Sequence, residues 1–179
     1  MPRSISFLAP VLLVAVFASC ARAHDPYEIT AEAWLRSNRV TLQMTLALST
    51  AMSTCGDAGK STGAFDEATF AKIKPALEIC ARSAFTISAG EEKLVPSSVE
   101  VGLTVEYDIE YKLVYPRPEK GPVRFDAALL RLLDDPNFGT VLTVLTEGAF
   151  LGQQVLRADD SVMEVPLPPP AEPAPENKP

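Results

Sequence analysis

The chain has 179 residues and a formal net charge of −7, with 22% of residues charged and 47% hydrophobic. That length suits one domain with its own core. The acidic balance, with no basic cluster anywhere, argues against a nucleic-acid partner, because affinity for nucleic acid rests first on phosphate contacts.

The chain opens on "MPRSISFLAPVLLVAVFASCARA". Arg3 supplies a short basic start, Phe7 to Phe17 is an apolar run broken only by Pro10, and Ala21 and Ala23 stand at the −3 and −1 positions of a cleavage site. This is the three-part pattern of a secretory signal peptide over residues 1–23. The apolar run is about half of the ~20 residues a spanning helix needs, so it does not read as a transmembrane anchor. Cleavage after Ala23 places His24, the chain's single histidine, first. The rival is "FASC", which is similar to a lipobox before a lipidated Cys20, with Phe17 where that motif usually carries Leu, Val or Ile. Both readings send the chain across a membrane, to the periplasm or outside the cell. Arg3 and Arg22 are the charged residues of this segment, so its removal leaves the chain more acidic still.

Residues 24–165 read as one β-rich domain. "YEITAEAWL" alternates, with Tyr27, Ile29, Ala31, Ala33 and Leu35 on one side and Glu28, Thr30, Glu32 and Trp34 on the other. "RSNR" interrupts it, and "VTLQMTLAL" alternates again through Val40, Leu42, Met44, Leu46 and Leu48. Two period-2 runs around a short polar turn predict an antiparallel hairpin with one buried face. "FDEATFAKIKPALEICARSAF" changes to a helical period at Phe70, Ile73, Leu77, Cys80 and Ala84, with Asp66 and Glu67 at the end that favours negative charge. Pro75 either kinks this helix or starts a second one.

From Phe85 the pattern returns to strands. "FTISAGEEKLVP" reads as two short strands around Ala89-Gly90. "SVEVGLTVEYDIEYKLVYP" alternates from Val99 to Tyr115 without a slip. One straight strand of that length would be about 56 Å long, so a bend, bulge or break is expected near Gly102 to Thr104. "VRFDAALLRLLDD" predicts a short strand leading into one or two helical turns. "TVLTVLTE", "FLGQQVLRA" and "VMEVPL" close the domain as three strands, with Gly148 at the turn between the first two. About eight strands and one helical insertion predict a mainly β fold, an antiparallel, immunoglobulin-like β-sandwich. Residues 166–179, half of them proline, cannot donate enough backbone hydrogen bonds for a helix or sheet and read as an extended solvated tail.

Candidate chemistry is sparse. Cys20 belongs to the signal region, so Cys55 and Cys80 remain as an even pair in an exported chain and are expected to form a disulfide. Gly59-Lys60-Ser61 matches the end of a P-loop, but the glycine required five residues before Gly59 is Thr54, and a polar loop explains the stretch. His24 with its α-amine, and Asp25 nearby, offers a weak chelate for copper or nickel. A second histidine, which a copper brace needs, is missing. Asp134-Asp135 and Asp159-Asp160, beside Pro136-Asn137 and Ser161, supply oxygen ligands without calcium-loop spacing, and the same residues are what turns demand. Glu106, Asp108 and Glu110 fall on the wet face of a predicted strand, where solvation explains them better than acid–base chemistry. Without a usable histidine the common catalytic triads are closed, and no cofactor is implied.

The segments "AHDPYEITAEAWLRSNRVTLQMTLALS", "YKLVYPRPEKGPVRFDAALLRLL" and "LTVLTEGAFLGQQVLRADDSVMEV" resemble the extracytoplasmic region of HupE/UreJ-type transport proteins. The likeness covers most of residues 23–165 and rests on alternating apolar residues, a Phe-initiated segment and the Leu151-Gly152 pair. Members of that family continue into several transmembrane helices and are associated with transport of nickel or related metals. This chain runs instead into the proline-rich segment. The resemblance therefore implies a stand-alone version of the periplasmic module, a non-enzymatic accessory to a membrane transport component, and it carries over no catalytic or binding residue. The alternative is a periplasmic copper or nickel carrier that uses His24.

Overall fold

The computed structural model describes residues 29–56 and 65–169. The proposed cleavage site, Cys20, His24, Gly59-Lys60-Ser61 and most of the proline-rich segment lie outside them. The first two strands, β1 (Ile29–Leu35) and β2 (Arg39–Leu46), form the expected hairpin. Ile29, Ala31, Ala33 and Leu35 are buried against Val40, Leu42, Met44 and Leu46. Leu48, expected to end the second strand, instead starts a short helix, α1 (Leu48–Thr54), which buries Thr50 and Ala51. Helix α2 (Glu67–Ala84) is capped by Asp66, whose Oδ1 accepts the Thr69 N–H at 2.8 Å. It runs unbroken through Pro75. Pro75 and Ala71 both lie on the exposed side, so the carbonyl that loses its donor faces water and the proline is tolerated.

Strands β3 (Thr86–Ala89) and β4 (Glu92–Lys93) turn at Gly90, which adopts a φ of 59°. The long alternation beyond them is a hairpin, β5 (Ser98–Leu103) and β6 (Ile109–Pro116). The expected interruption is therefore a full reversal of the chain. Next come β7 (Pro122–Asp126), a 3-10 helix (Ala128–Leu132), β8 (Gly139–Thr146), β9 (Phe150–Arg157) and β10 (Val162–Pro166).

The strands build two sheets, one of six in the order β5-β6-β2-β1-β8-β9 and one of four in the order β10-β7-β3-β4. This is the mainly β sandwich with a helical insertion. Neighbours pair antiparallel except β1 with β8, which run parallel from Ile29↔Thr140 to Leu35↔Thr146. The core fills the space between the sheets. Leu42, Met44, Ile109, Tyr111, Leu113, Tyr115 and Leu142 face Ile87, Val123 and Phe125, all essentially without solvent contact. Each such side chain contributes about 1.5–3 kcal/mol of hydrophobic stabilisation. Helix α2 covers β5 and β6 on the same side, with Leu77, Ala81 and Ala84 inward and Phe70 and Ile73 packed at the margin. At one end of the sandwich the Arg117 guanidinium donates to the carbonyls of Arg36 and Pro168 and so fixes the chain just after β10.

Candidate functional site

The polar clusters resolve into structural roles. Asp126, at the end of β7, receives both Nη atoms of Arg131, at 2.9 and 3.1 Å. Ser161 is buried, donates to Asp126 Oδ1 at 2.7 Å and accepts from Arg131 at 2.6 Å. The Arg131 hydrogen bond, helped by Ser161, holds the Asp126 carboxyl below its ordinary range. The carboxylate that accepts the Ser161 proton is held ionised by Arg131 and is a weakened base, so this triangle serves to tie β7, the 3-10 helix and the start of β10 together. Asp159 and Asp160 form the β9–β10 turn, where Arg157 and Asp160 exchange backbone bonds of 3.0 and 3.1 Å. Asp135 Oδ1 accepts both the backbone and side-chain N–H of Asn137, each at 2.9 Å, a local turn bond. Glu110 accepts from Gln43 at 2.6 Å across the sheet, and Glu106 lies exposed in the β5–β6 turn. Among the described residues no three His, Cys, Asp or Glu side chains are grouped to hold a metal ion. No helix among them is long and apolar enough to cross a membrane.

Cys55 follows α1 and Cys80 lies in the second turn from the end of α2. Their Cα atoms are 5.7 Å apart, which is disulfide distance. The pair links the two helices to each other. The alternating run of the sequence ends at Leu48, and α1 fills the stretch from there to Cys55.

The most distinctive surface is the β5–β6 turn. Thr104 organises it. Its N–H donates to the Asp108 carbonyl, its carbonyl accepts from Tyr107 N–H, and its hydroxyl accepts from Asp108 N–H, at 2.9, 3.1 and 3.1 Å. Tyr107 sits at φ 67°, and among the described residues no other non-glycine has positive φ. That conformation is unfavourable for a bulky side chain and costs on the order of 1–3 kcal/mol. The turn leaves Val105 90% exposed and Tyr107 57% exposed. Beside them a cleft of about 590 Å³ opens between the turn and the start of α2, lined by Glu67, Phe70, Leu103, Thr104, Val105 and Tyr107. Phe70, Leu103 and Val105 supply its apolar lining, and Glu67 an acidic group. Two apolar residues within a Thr, Glu and Asp segment were the sequence signal for this tip.

The outer face of the six-stranded sheet is the second surface. Register aligns its side chains in rows. Gln153, Thr143, Glu32, Gln43, Lys112 and Glu100 form one row across all six strands. Gln153 bonds Thr143 at 2.9 Å, and Lys112 lies 3.7 Å from Glu100. On either side of that row, at the β1, β8 and β9 end, stand Trp34, Leu145 and Phe150, and Val141 with Val155. The Trp34 indole N–H donates to Glu32, and its ring lies 5.4 Å from the Arg36 guanidinium. No family model matches this chain, and no curated protein matches it.

Proposed function

We propose that this chain is an exported, non-catalytic β-sandwich that works as an accessory module and docks a membrane transport component through the β5–β6 tip. The observation that carries this reading is the exposure of Val105 and Tyr107 on a turn held by three hydrogen bonds at Thr104, above the Phe70 cleft. Rigidly presented apolar and aromatic side chains are what interface anchors require, since little entropy is lost when they are covered. Backbone strain at Tyr107 is consistent with a turn shaped for contact rather than for stability. The Asp126, Ser161 and Arg131 triangle supports a non-catalytic reading because Arg131 occupies the carboxylate that accepts the Ser161 proton and weakens it as a base. The resemblance to the extracytoplasmic part of transport proteins supports the choice of partner class. The Cys55–Cys80 pair at disulfide distance favours the periplasm or the exterior as the place of work.

Affinity capture from envelope membranes tests the proposal. The native chain should enrich a multi-helix membrane protein, and Val105→Asp should lower its recovery at least about tenfold while circular dichroism stays native. That loss corresponds to burying one charge in place of an anchor. Absence of any enriched membrane protein, or equal recovery with Val105→Asp, overturns it.

A further inference from the structure

The four sheet edges are not alike. Edge strands expose unpaired backbone groups, and proteins guard them with charge, proline, shortness or a covering element. Strand β5 carries Glu100, follows Pro96 and has α2 packed against it. Strand β4 is two residues long, and both are charged. Strand β10 carries Glu164 and ends on Pro166. Strand β9 has eight residues, and from Gly148 to Leu156 the chain carries neither charge nor proline. Its guards stand only at its two ends, a register shift opposite Val144 and Leu145 near its first residues and Arg157 as its last. Strand β10 lies under the inner face of β9, where Gln154 Nε2 reaches the Val162 carbonyl at 3.4 Å and Met163 abuts Gly152. Among the described residues no strand pairs along the free edge of β9.

We infer that the free edge of β9 is the contact through which two copies of this chain associate, antiparallel, joining their six-stranded sheets into one. The occupant follows from charge. The chain carries −7 overall, so two copies repel over most approaches, and the β9 edge, without an acidic residue from Gly148 to Arg157, is where that repulsion is least. A twofold interface matches one patch to itself, and the one charged residue of the strand, Arg157 at its end, falls opposite Leu151 or Gln153 when the axis passes at Gln154 or Val155, so like charges are not set opposite each other. The outer face supports the same contact. Phe150 is 63% and Val155 42% exposed, and they extend the apolar rows of Trp34 and Leu145, and of Val141, up to the edge.

Geometry limits the register. The regular part of the strand is Gly152 to Arg157, and residues facing each other across the new pair must share a sheet face. The twofold axis therefore passes at Gln154 or Val155. Either choice brings the two Val155 side chains directly opposite or into diagonal reach, at most about 7–8 Å between Cα atoms. This contact is on the edge opposite the β5–β6 tip, so the two proposals stand or fall separately.

Light scattering on the full exported chain decides the matter. The native protein should pass from the mass of one copy to that of two between about 1 and 100 μM, the range of a small interface. Val155→Lys and Val155→Glu should each remain single at the top of that range, and an equimolar mixture of the two should regain the double mass. Gln153→Lys, exposed on the same face, serves as the second variant should either substitution at Val155 disturb folding. A native chain that stays single throughout overturns the inference. So does a double mass that persists in folded Val155→Lys or Gln153→Lys, or a failure of the mixed variants to associate.

Discussion

Asp126 illustrates how a residue that reads as surface chemistry becomes a fastener. Its carboxylate takes two bonds from Arg131 and one from Ser161. Arg131, the largest cause, lowers its pKa in the folded chain. The folded pKa lies below the unfolded value of about 3.9, so the stabilisation is present above that value and is lost as pH falls through the folded pKa. Asp126→Asn should cost about 1–2 kcal/mol at pH 7, the worth of a hydrogen-bonded charge that is partly exposed. The deficit relative to the native chain should shrink as the pH falls below the ordinary carboxylate range. Denaturant titrations of both proteins at neutral and acid pH check the sign, and a deficit that grows with acidity contradicts it. Tyr111 titrates in the opposite sense. Burial pushes its phenol up to about 12, so its contribution to the folded state is full below the unfolded pKa of about 10 and is lost as pH rises through the folded pKa.

At the scale of elements, the pair Cys55 and Cys80 ties α1 to α2 across a chain segment of 25 residues. A disulfide there stabilises by about 3 kcal/mol on the loop-entropy account. Mass spectrometry of unreduced, alkylated protein from an oxidising compartment should show neither thiol modified. Cys80→Ser should lower the thermal midpoint by roughly 5–15 °C, given the usual conversion for a domain of this size. The helices also show what the residues reveal and what they conceal. Helix α2 was legible because Phe70, Ile73, Leu77 and Ala84 keep one period and Asp66 starts it. Helix α1 was not, because "LSTAMST" is too short for a period and continues an alternating strand without a turn residue. The β5–β6 reversal was concealed by parity. Val101 pairs with Tyr111 and Leu103 with Ile109, so odd-numbered positions remain apolar through the turn although Val105 and Tyr107 have left the core. The tip was therefore visible as residues but not as a place. The β9 edge was invisible, because edge status depends on which strands a sheet order leaves unpaired.

For the whole molecule, the deciding contact is the parallel pairing of β1 with β8. Local alternation predicts the hairpins, yet nothing near Ile29 announces Thr140 as its neighbour. Strand β1 lies inside the large sheet, between β2 and β8, so a chain lacking β8 exposes its edge and loses Leu142 and Val144 from the core. A chain stopped after Leu133 should be cut by protease at least about tenfold faster than one stopped after Pro169, as the open fraction grows with lost stability. Equal resistance of the two would show that the first sheet closes without β8. The pairing also sets an order in time. Contacts between distant parts of a chain form late, because the loop between them must be closed first. Under the proposed export, a chain threaded through a membrane channel from its first residue onward would present β1 long before β8. The large sheet would then stay open along β1 until nearly the whole domain had passed, which would keep the trailing chain pliable enough to follow and postpone the compact shape until it could no longer obstruct the passage.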